Sequence, residues 1–396
     1  MKEVGIYPLA GAINAKDPHL IAYCQDYLTR LGKALDLHLV PMEEEAFRAQ
    51  GIPVFFLASG GIAGAFRDVC HCVKGPYILL TTAGWNSLPA SMEILSYLHE
   101  QGEEGEILHG EPEEIAPRLR ELLRLAEVRR RLARMRLGVI GETLSLAGSR
   151  ADREALQRRF GAELVMLDIN ELVEEFHKGG YPENDDTRQL KSRGYDPAEM
   201  EKALQVYGAV DRMVQKYQLD AVTVRCFDLL DSIHTTGCLA LSILNAQGIP
   251  AACEGDTRSL LSMALLHQLT GEPVFMANPS QLDRQKQEMV FAHCTLPLNM
   301  PQDYTLTTHF ESGIGVALAA DFAPGPVTVF KCDETGRFYA QDAELLESLH
   351  HPDLCRTQLR LRLPEGVESF LTHPIANHQM ICKGHWAGLL REFFGQ

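Results

Sequence analysis

The 396-residue chain has no run approaching the roughly 20 apolar residues that a membrane-spanning helix requires. Positive charge is not in excess either. Its 37 basic residues against 53 acidic ones give a net charge of −16, the wrong sign for a general binder of nucleic acid or of anionic membranes. The opening residues Met1-Lys2-Glu3-Val4-Gly5-Ile6-Tyr7 lack the long apolar core of a secretory signal, so a cytoplasmic location is expected. The ten cysteines are scattered and read as reduced thiols of cores and turns rather than as a disulfide framework. Cys70-His71-Cys72 suggests a soft-metal site, but no second Cys/His pair stands at the spacing zinc needs. There is no internal repeat and no low-complexity tract. Neither a G-x-G-x-x-G turn nor a P-loop lysine is present, which leaves NAD and ATP without support.

At 45% apolar and 23% charged residues, the chain is long enough for two or three packed domains. Residues 4–9, 37–40, 53–57 and 77–81 are strand-like, and helix-period segments such as 20–35 separate most of them. That alternation predicts a parallel sheet. After an acidic loop at 101–114, Leu119, Leu122, Leu123 and Ala126 mark one helical face of segment 118–136. Its eight arginines read as a solvated face neutralising nearby glutamates. A second α/β unit opens at Leu137-Gly138-Val139-Ile140-Gly141. Helices are expected at 151–160, 169–177 and 197–217, strands at 163–168 and 221–227, and a polar loop at 178–194. From about residue 300 the sequence turns to short β-type runs broken by Gly and Pro. The predicted architecture is therefore two Rossmann-like α/β domains with parallel sheets, 1–136 and 137–299, followed by a β-rich, barrel-like domain, 300–396.

Two glycine-rich turns, 58–64 and Thr82-Ala83-Gly84-Trp85-Asn86-Ser87, follow strand-like runs. They suit either a tight structural turn or the presentation of N–H groups, Trp85 and Asn86 to a sugar. The block Gly248-Ile249-Pro250-Ala251-Ala252-Cys253-Glu254-Gly255-Asp256 ends an apolar strand in two carboxylates. Strand ends are where parallel sheets place ligands. Further strand-like runs deliver Asn278, His293-Cys294, Asn377-His378 and Gly384-His385. Carboxylate, amide and imidazole donors suit Mn²⁺ or Mg²⁺ better than Zn²⁺ or copper. Each residue also has an ordinary role open to it: Asp256 as a helix cap, His293 as a buried hydrogen-bonded histidine, Asn278 as a turn residue before Pro279.

Residues 137–396 resemble the L-fucose/L-arabinose isomerase superfamily, most closely its fucose-isomerase-like branch. The matching segments are 137–142, 225–227, 240–256, 271–294, 313–329 and 376–390. The resemblance implies an aldose–ketose isomerase working through a cis-enediol, with Mn²⁺ or another divalent cation such as Mg²⁺ or Co²⁺. It places the metal on Glu254, Asn278 and His378 and the catalytic positions at Glu254, Asn278 and Asp256. Arg225, His293, His385, Trp85 and Asn86 are the substrate contacts expected. Asn278 departs from the family's acidic residue: its amide oxygen can donate to a metal, but it accepts no proton and removes one negative charge. The implied substrate is a fucose- or arabinose-like aldose, or a modified deoxy or sulfonated one. The implied assembly is a homotrimer or homohexamer with the site near a subunit interface. Two alternatives stay open, a non-catalytic sugar-binding relative and a metal-free acid–base site built on Glu254, Asp256 and His378.

Overall fold

The computed structural model describes residues 2–141 and 150–395, so Glu142, the end of the matching segment 137–142, lies outside the described residues. The chain divides into two compact units, Met1–Arg130 and Arg131–Gln396.

In the first unit, strands β1 (Lys2–Leu9), β2 (Leu37–Pro41), β3 (Val54–Leu57), β4 (Tyr77–Thr81) and β5 (Gly105–Leu108) form one parallel sheet in the order β2-β1-β3-β4-β5. The apolar runs of β3 and β4 are buried throughout because both faces of the sheet are covered. Val54, Phe56, Ile78 and Leu80 belong to one core, while Phe55, Leu57, Tyr77 and Leu79 belong to the other. The first helix, Pro18–Leu35, starts where sequence chemistry places it: Asp17 caps the amide of His19, with Pro18 in the first turn. In the arginine-rich helix Pro112–Leu132, Arg118 pairs with Glu106 and Glu121, and Arg130 pairs with Glu127.

The second unit opens with a parallel sheet of β6 (Arg136–Ile140), β7 (Glu163–Leu167), β8 (Ala221–Val224) and β9 (Ala251–Cys253), in the order β7-β6-β8-β9. The stretch 178–194 is not all loop. Asn184 and Thr187 form a reciprocal capping box that starts a helix, Asp185–Ser192. That local signal was available in the sequence and was outweighed by the polarity of the segment.

Beyond the sheet, β10 (Phe275–Asp283) and β11 (Glu288–His293) turn antiparallel. After a small hairpin of β12 (Thr305–Thr307) and β13 (Ala317–Ala319), the chain adds β14 (Gly325–Cys332), β15 (Phe338–Ser348), β16 (Thr357–Arg362) and β17 (Gln379–Lys383). These close a six-stranded barrel in the order β10-β11-β16-β15-β14-β17. Bulges between Pro279 and Gln281 and between Leu345 and Glu347 supply bends that closure uses. The barrel's first two strands thus precede residue 300, and Asn278 and His293 are barrel residues. The helix Thr257–Thr270 packs on β8 and β9 of the sheet and on β14 and β17 of the barrel. Almost every side chain along it is buried. No described helix is long and apolar enough to cross a membrane.

Candidate metal centre

The carboxyl end of β9 is built by an unusual backbone. Glu254 and Gly255 both adopt left-handed conformations, with φ of 64° and 66°. A non-glycine residue there costs on the order of 1 kcal/mol or more, and such outliers concentrate at functional sites. One residue later, Asp256 caps the helix Thr257–Thr270, accepting from the Ser259 amide at 2.8 Å. The expected capping role of Asp256 is therefore real, and it is not the whole of what Asp256 does.

Two barrel histidines meet this edge. His293 ends β11 and His378 precedes β17, and their rings lie 5.5 Å apart, centroid to centroid. Both present Nε2 to the same oxygen of Glu254, at 3.9 Å for His293 and 3.5 Å for His378. Each ring is held from behind through Nδ1: His293 by the Thr295 hydroxyl at 2.9 Å, His378 by Asp256 Oδ2 at 2.9 Å. His378 is 1% exposed, and its Nε2 is buried with no hydrogen-bond partner. A buried imidazole nitrogen without a partner is costly unless something else fills the role. Among the described residues, one group of His, Cys, Asp or Glu side chains stands close enough to hold a metal ion. It is Glu254, His293 and His378, whose ligand atoms lie within 4.8 Å of one another. The donor chemistry fits. A carboxylate behind the histidine fixes the tautomer that leaves Nε2 bare, the arrangement common behind metal-bound histidines.

The electrostatics follow from this packing. Burial favours the neutral form of the Glu254 carboxyl, but the imidazoles of His293 and His378 beside it outweigh that and hold the group well below the ordinary carboxylate range. Asp256, wholly buried, is likewise disfavoured as an anion by desolvation, yet Lys331 and then His378 bring it down to about 2. Burial pulls the His378 pKa down, and Asp256 and Glu254 more than compensate, leaving it raised.

The sequence-predicted residues divide accordingly. Glu254, Asp256, His293 and His378 converge. Asn278 lies one strand away on β10, and its amide oxygen accepts from Asn377 at 3.2 Å, beside His378. Arg225 follows β8, one step beyond the Val224–Cys253 register pair, and is paired with Asp228 at 2.9 Å. His385 is exposed and stands past the other end of β17 from His378, which precedes that strand. Trp85 and Asn86 belong to the first unit. Both have positive φ, and the Trp85 carbonyl accepts from the Gly60 amide at 2.7 Å. The sequence reading missed Thr295, Ser259 and Lys331. Lys331 is fully buried on β14, a placement a charge takes only when partnered, and nothing in the local sequence marks it.

No protein-family model matches the chain. Two curated proteins are similar to it. A sulfoquinovose isomerase of Clostridium sp. (strain MSTE9) is 30% identical over 195 residues, 47% of this chain and 44% of that protein. A sulfoquinovose isomerase of Alkalicoccus urumqiensis is 24% identical over 268 residues, 64% of this chain and 60% of that protein. The chain thus spans about half the length of the curated relatives it matches. Among solved structures, D-threo-3-hydroxyaspartate dehydratase from Delftia sp. HT23 aligns over 98% of this chain and 85% of its own, at 14% identity. With a TM-score of 0.15, that likeness carries no argument.

Proposed function

We propose that the protein is a divalent-metal-dependent aldose–ketose isomerase acting on a sulfonated sugar of the sulfoquinovose type. The observation that carries this reading is the partnerless, buried Nε2 of His378. It faces Glu254 and His293 while Asp256 holds the other side of its ring. The two relatives named sulfoquinovose isomerase support the reaction class and the sulfonated substrate.

Glu254, His293 and His378 would hold the cation. Two imidazoles and one carboxylate are a more nitrogen-rich set than the sequence alone suggested, which favours Mn²⁺ or Co²⁺ over Mg²⁺. The cation would polarise the sugar carbonyl and stabilise the enediolate of O1 and O2. Glu254, the partly exposed carboxylate of the group, is the base assigned to move the proton between C2 and C1. Asp256 has both oxygens engaged by Ser259 and His378 and no exposure, so its part is to orient His378 rather than to meet the sugar. Asn278 is the candidate for a further oxygen contact. Arg225, at the same sheet edge and paired with Asp228, is the cation assigned to a hydroxyl or the sulfonate. A cytoplasmic homotrimer or homohexamer, in which Trp85 and Asn86 of one subunit close the site of another, completes the proposal.

Proton NMR of sulfoquinovose in D₂O with the protein and Mn²⁺ tests the reading. Loss of the C2–H signal together with new ketose resonances is expected, and chelation should abolish both. Turnover that survives complete removal of divalent cations would sink the metal-dependent mechanism. Silence on sulfoquinovose with turnover of a non-sulfonated aldose would sink the substrate assignment.

A further inference from the structure

We propose that Lys331 is a positioning residue of the metal centre, acting through Ser259 and Asp256 on His378. The inference rests on the reading of Glu254, His293 and His378 as a metal site, and adds to it a residue that touches neither metal nor substrate.

Lys331 stands on barrel strand β14, paired in register with Tyr339, and its side chain is wholly buried. Its Nζ donates to the Ser259 hydroxyl oxygen at 2.7 Å. That hydroxyl donates to Asp256 Oδ2 at 2.6 Å, and the same oxygen accepts from His378 Nδ1 at 2.9 Å. Lys331 Nζ itself lies 3.8 Å from Asp256 Oδ2. The chain runs in one sense throughout. An ammonium has donors only, so the Ser259 oxygen must accept from it and turn its own proton toward Asp256. Asp256, with its other oxygen taken by the Ser259 amide, then has one geometry left in which to receive the His378 ring. The tautomer and tilt of His378, and so the direction of its bare Nε2, are set three residues away from the metal position. A buried lysine and a buried aspartate are each expensive alone, and together they compensate each other's charge. An apolar side chain at position 331 would fill the same space and leave the hydroxyl of Ser259 free to turn.

The competing account is that Lys331 only cements the barrel to the helix Thr257–Thr270. Mn²⁺ affinity separates the two. Calorimetric titration of the metal-free protein with Mn²⁺ is compared for wild type, Lys331→Met, Ser259→Ala and Ser259→Thr, alongside the melting temperature of each metal-free form. Loss of a group behind a metal-bound histidine typically costs 10–100-fold in affinity. Lys331→Met and Ser259→Ala should each fall in that range, and Ser259→Thr, which keeps the hydroxyl, should recover most of it. The double variant Lys331→Met/Ser259→Ala should bind no more weakly than the worse single one, because both cut the same chain. A lowered melting temperature with Mn²⁺ affinity within twofold of wild type overturns the proposal and leaves the metal centre standing. Should Lys331→Met fail to fold, Ser259→Ala against Ser259→Thr decides by the same criterion. A wild-type protein that takes up no divalent cation overturns the metal reading and this proposal together.

Discussion

The two parallel sheets end in loops of opposite chemistry. At the carboxyl edge of the first sheet the glycine-rich turns after β3 and β4 carry no charged side chain and are held by neutral hydrogen bonds. The Gly11 amide donates to Ser59 Oγ, the Gly60 amide to the Trp85 carbonyl, and the Thr82 amide to Ser87 Oγ. At the carboxyl edge of the second sheet stand Glu254, Asp256 and Arg225, with His293, His378 and Lys331 arriving from the barrel. Parallel strand ends offer both units the same kind of place for a ligand. What distinguishes them is a second layer of structure: the barrel supplies buried bases and a buried cation that no sheet loop could carry unpartnered. In the sequence the glycine-rich turns are the weaker signal and the acidic strand end the stronger one, and among the described residues it is the strand end that two buried histidines meet.

The sharpest way to break this comparison is at Glu254. Glu254→Gln keeps the shape and removes both charge and base, so turnover should fall by roughly 10²–10⁴-fold, measured as C2–H exchange at saturating Mn²⁺. Retained exchange would move the base elsewhere. The next test is pH. The Asp256 carboxyl, brought from its ordinary 3.8 to about 2, stabilises the fold above about pH 4, and this contribution is lost as the pH falls towards 2. The expected loss is roughly 2 kcal/mol, read by urea unfolding of the metal-free protein, and Asp256→Asn should flatten that limb. The raised His378 works the other way: its contribution is present below its ordinary 6.5 and lost as the pH climbs through its folded value. Mn²⁺ competes with that proton, so its affinity should rise over the same interval.

Smaller effects sharpen the contrast. Asn278→Asp restores a negative charge beside His378 and should raise Mn²⁺ affinity about tenfold or less, by calorimetry. An unchanged affinity would place Asn278 outside the ligand set. In the first unit, Trp85→Ala removes a ring that packs on Tyr23 at 5.3 Å. It should raise the sugar KM by about fivefold, about 1 kcal/mol, as the loss of one aromatic contact does. Mn²⁺ affinity should stay unchanged, since none of the proposed metal ligands belongs to that unit.

Much of the architecture was legible because it is local. The apolar runs of β3 and β4, the Asp17-Pro18 helix start and the helix Pro197–Tyr217 are read from neighbouring residues alone. The acidic strand end at Glu254 was legible for the same reason. His378 is read from its Asn-His context, and His293 is read as a sugar contact; that its ring stands against Glu254 and His378 is seen only in the fold. Lys331 went unread because a lysine in a strand is ordinarily a surface residue, and only barrel closure buries this one.

By itself, then, the sequence determined two α/β segments, a β-rich end, a carboxylate pair at a strand terminus and an acidic chain ill-suited to polyanions. It did so because periodicity, capping and charge act between residues a few positions apart. The tertiary structure alone decided that Asp256 would hold a histidine 122 residues away, and that a lysine 72 residues from Ser259 would hold the serine between them. Those contacts exist only once six antiparallel strands have closed beside the sheet edge. Their strength comes from the exclusion of water, which no local pattern encodes.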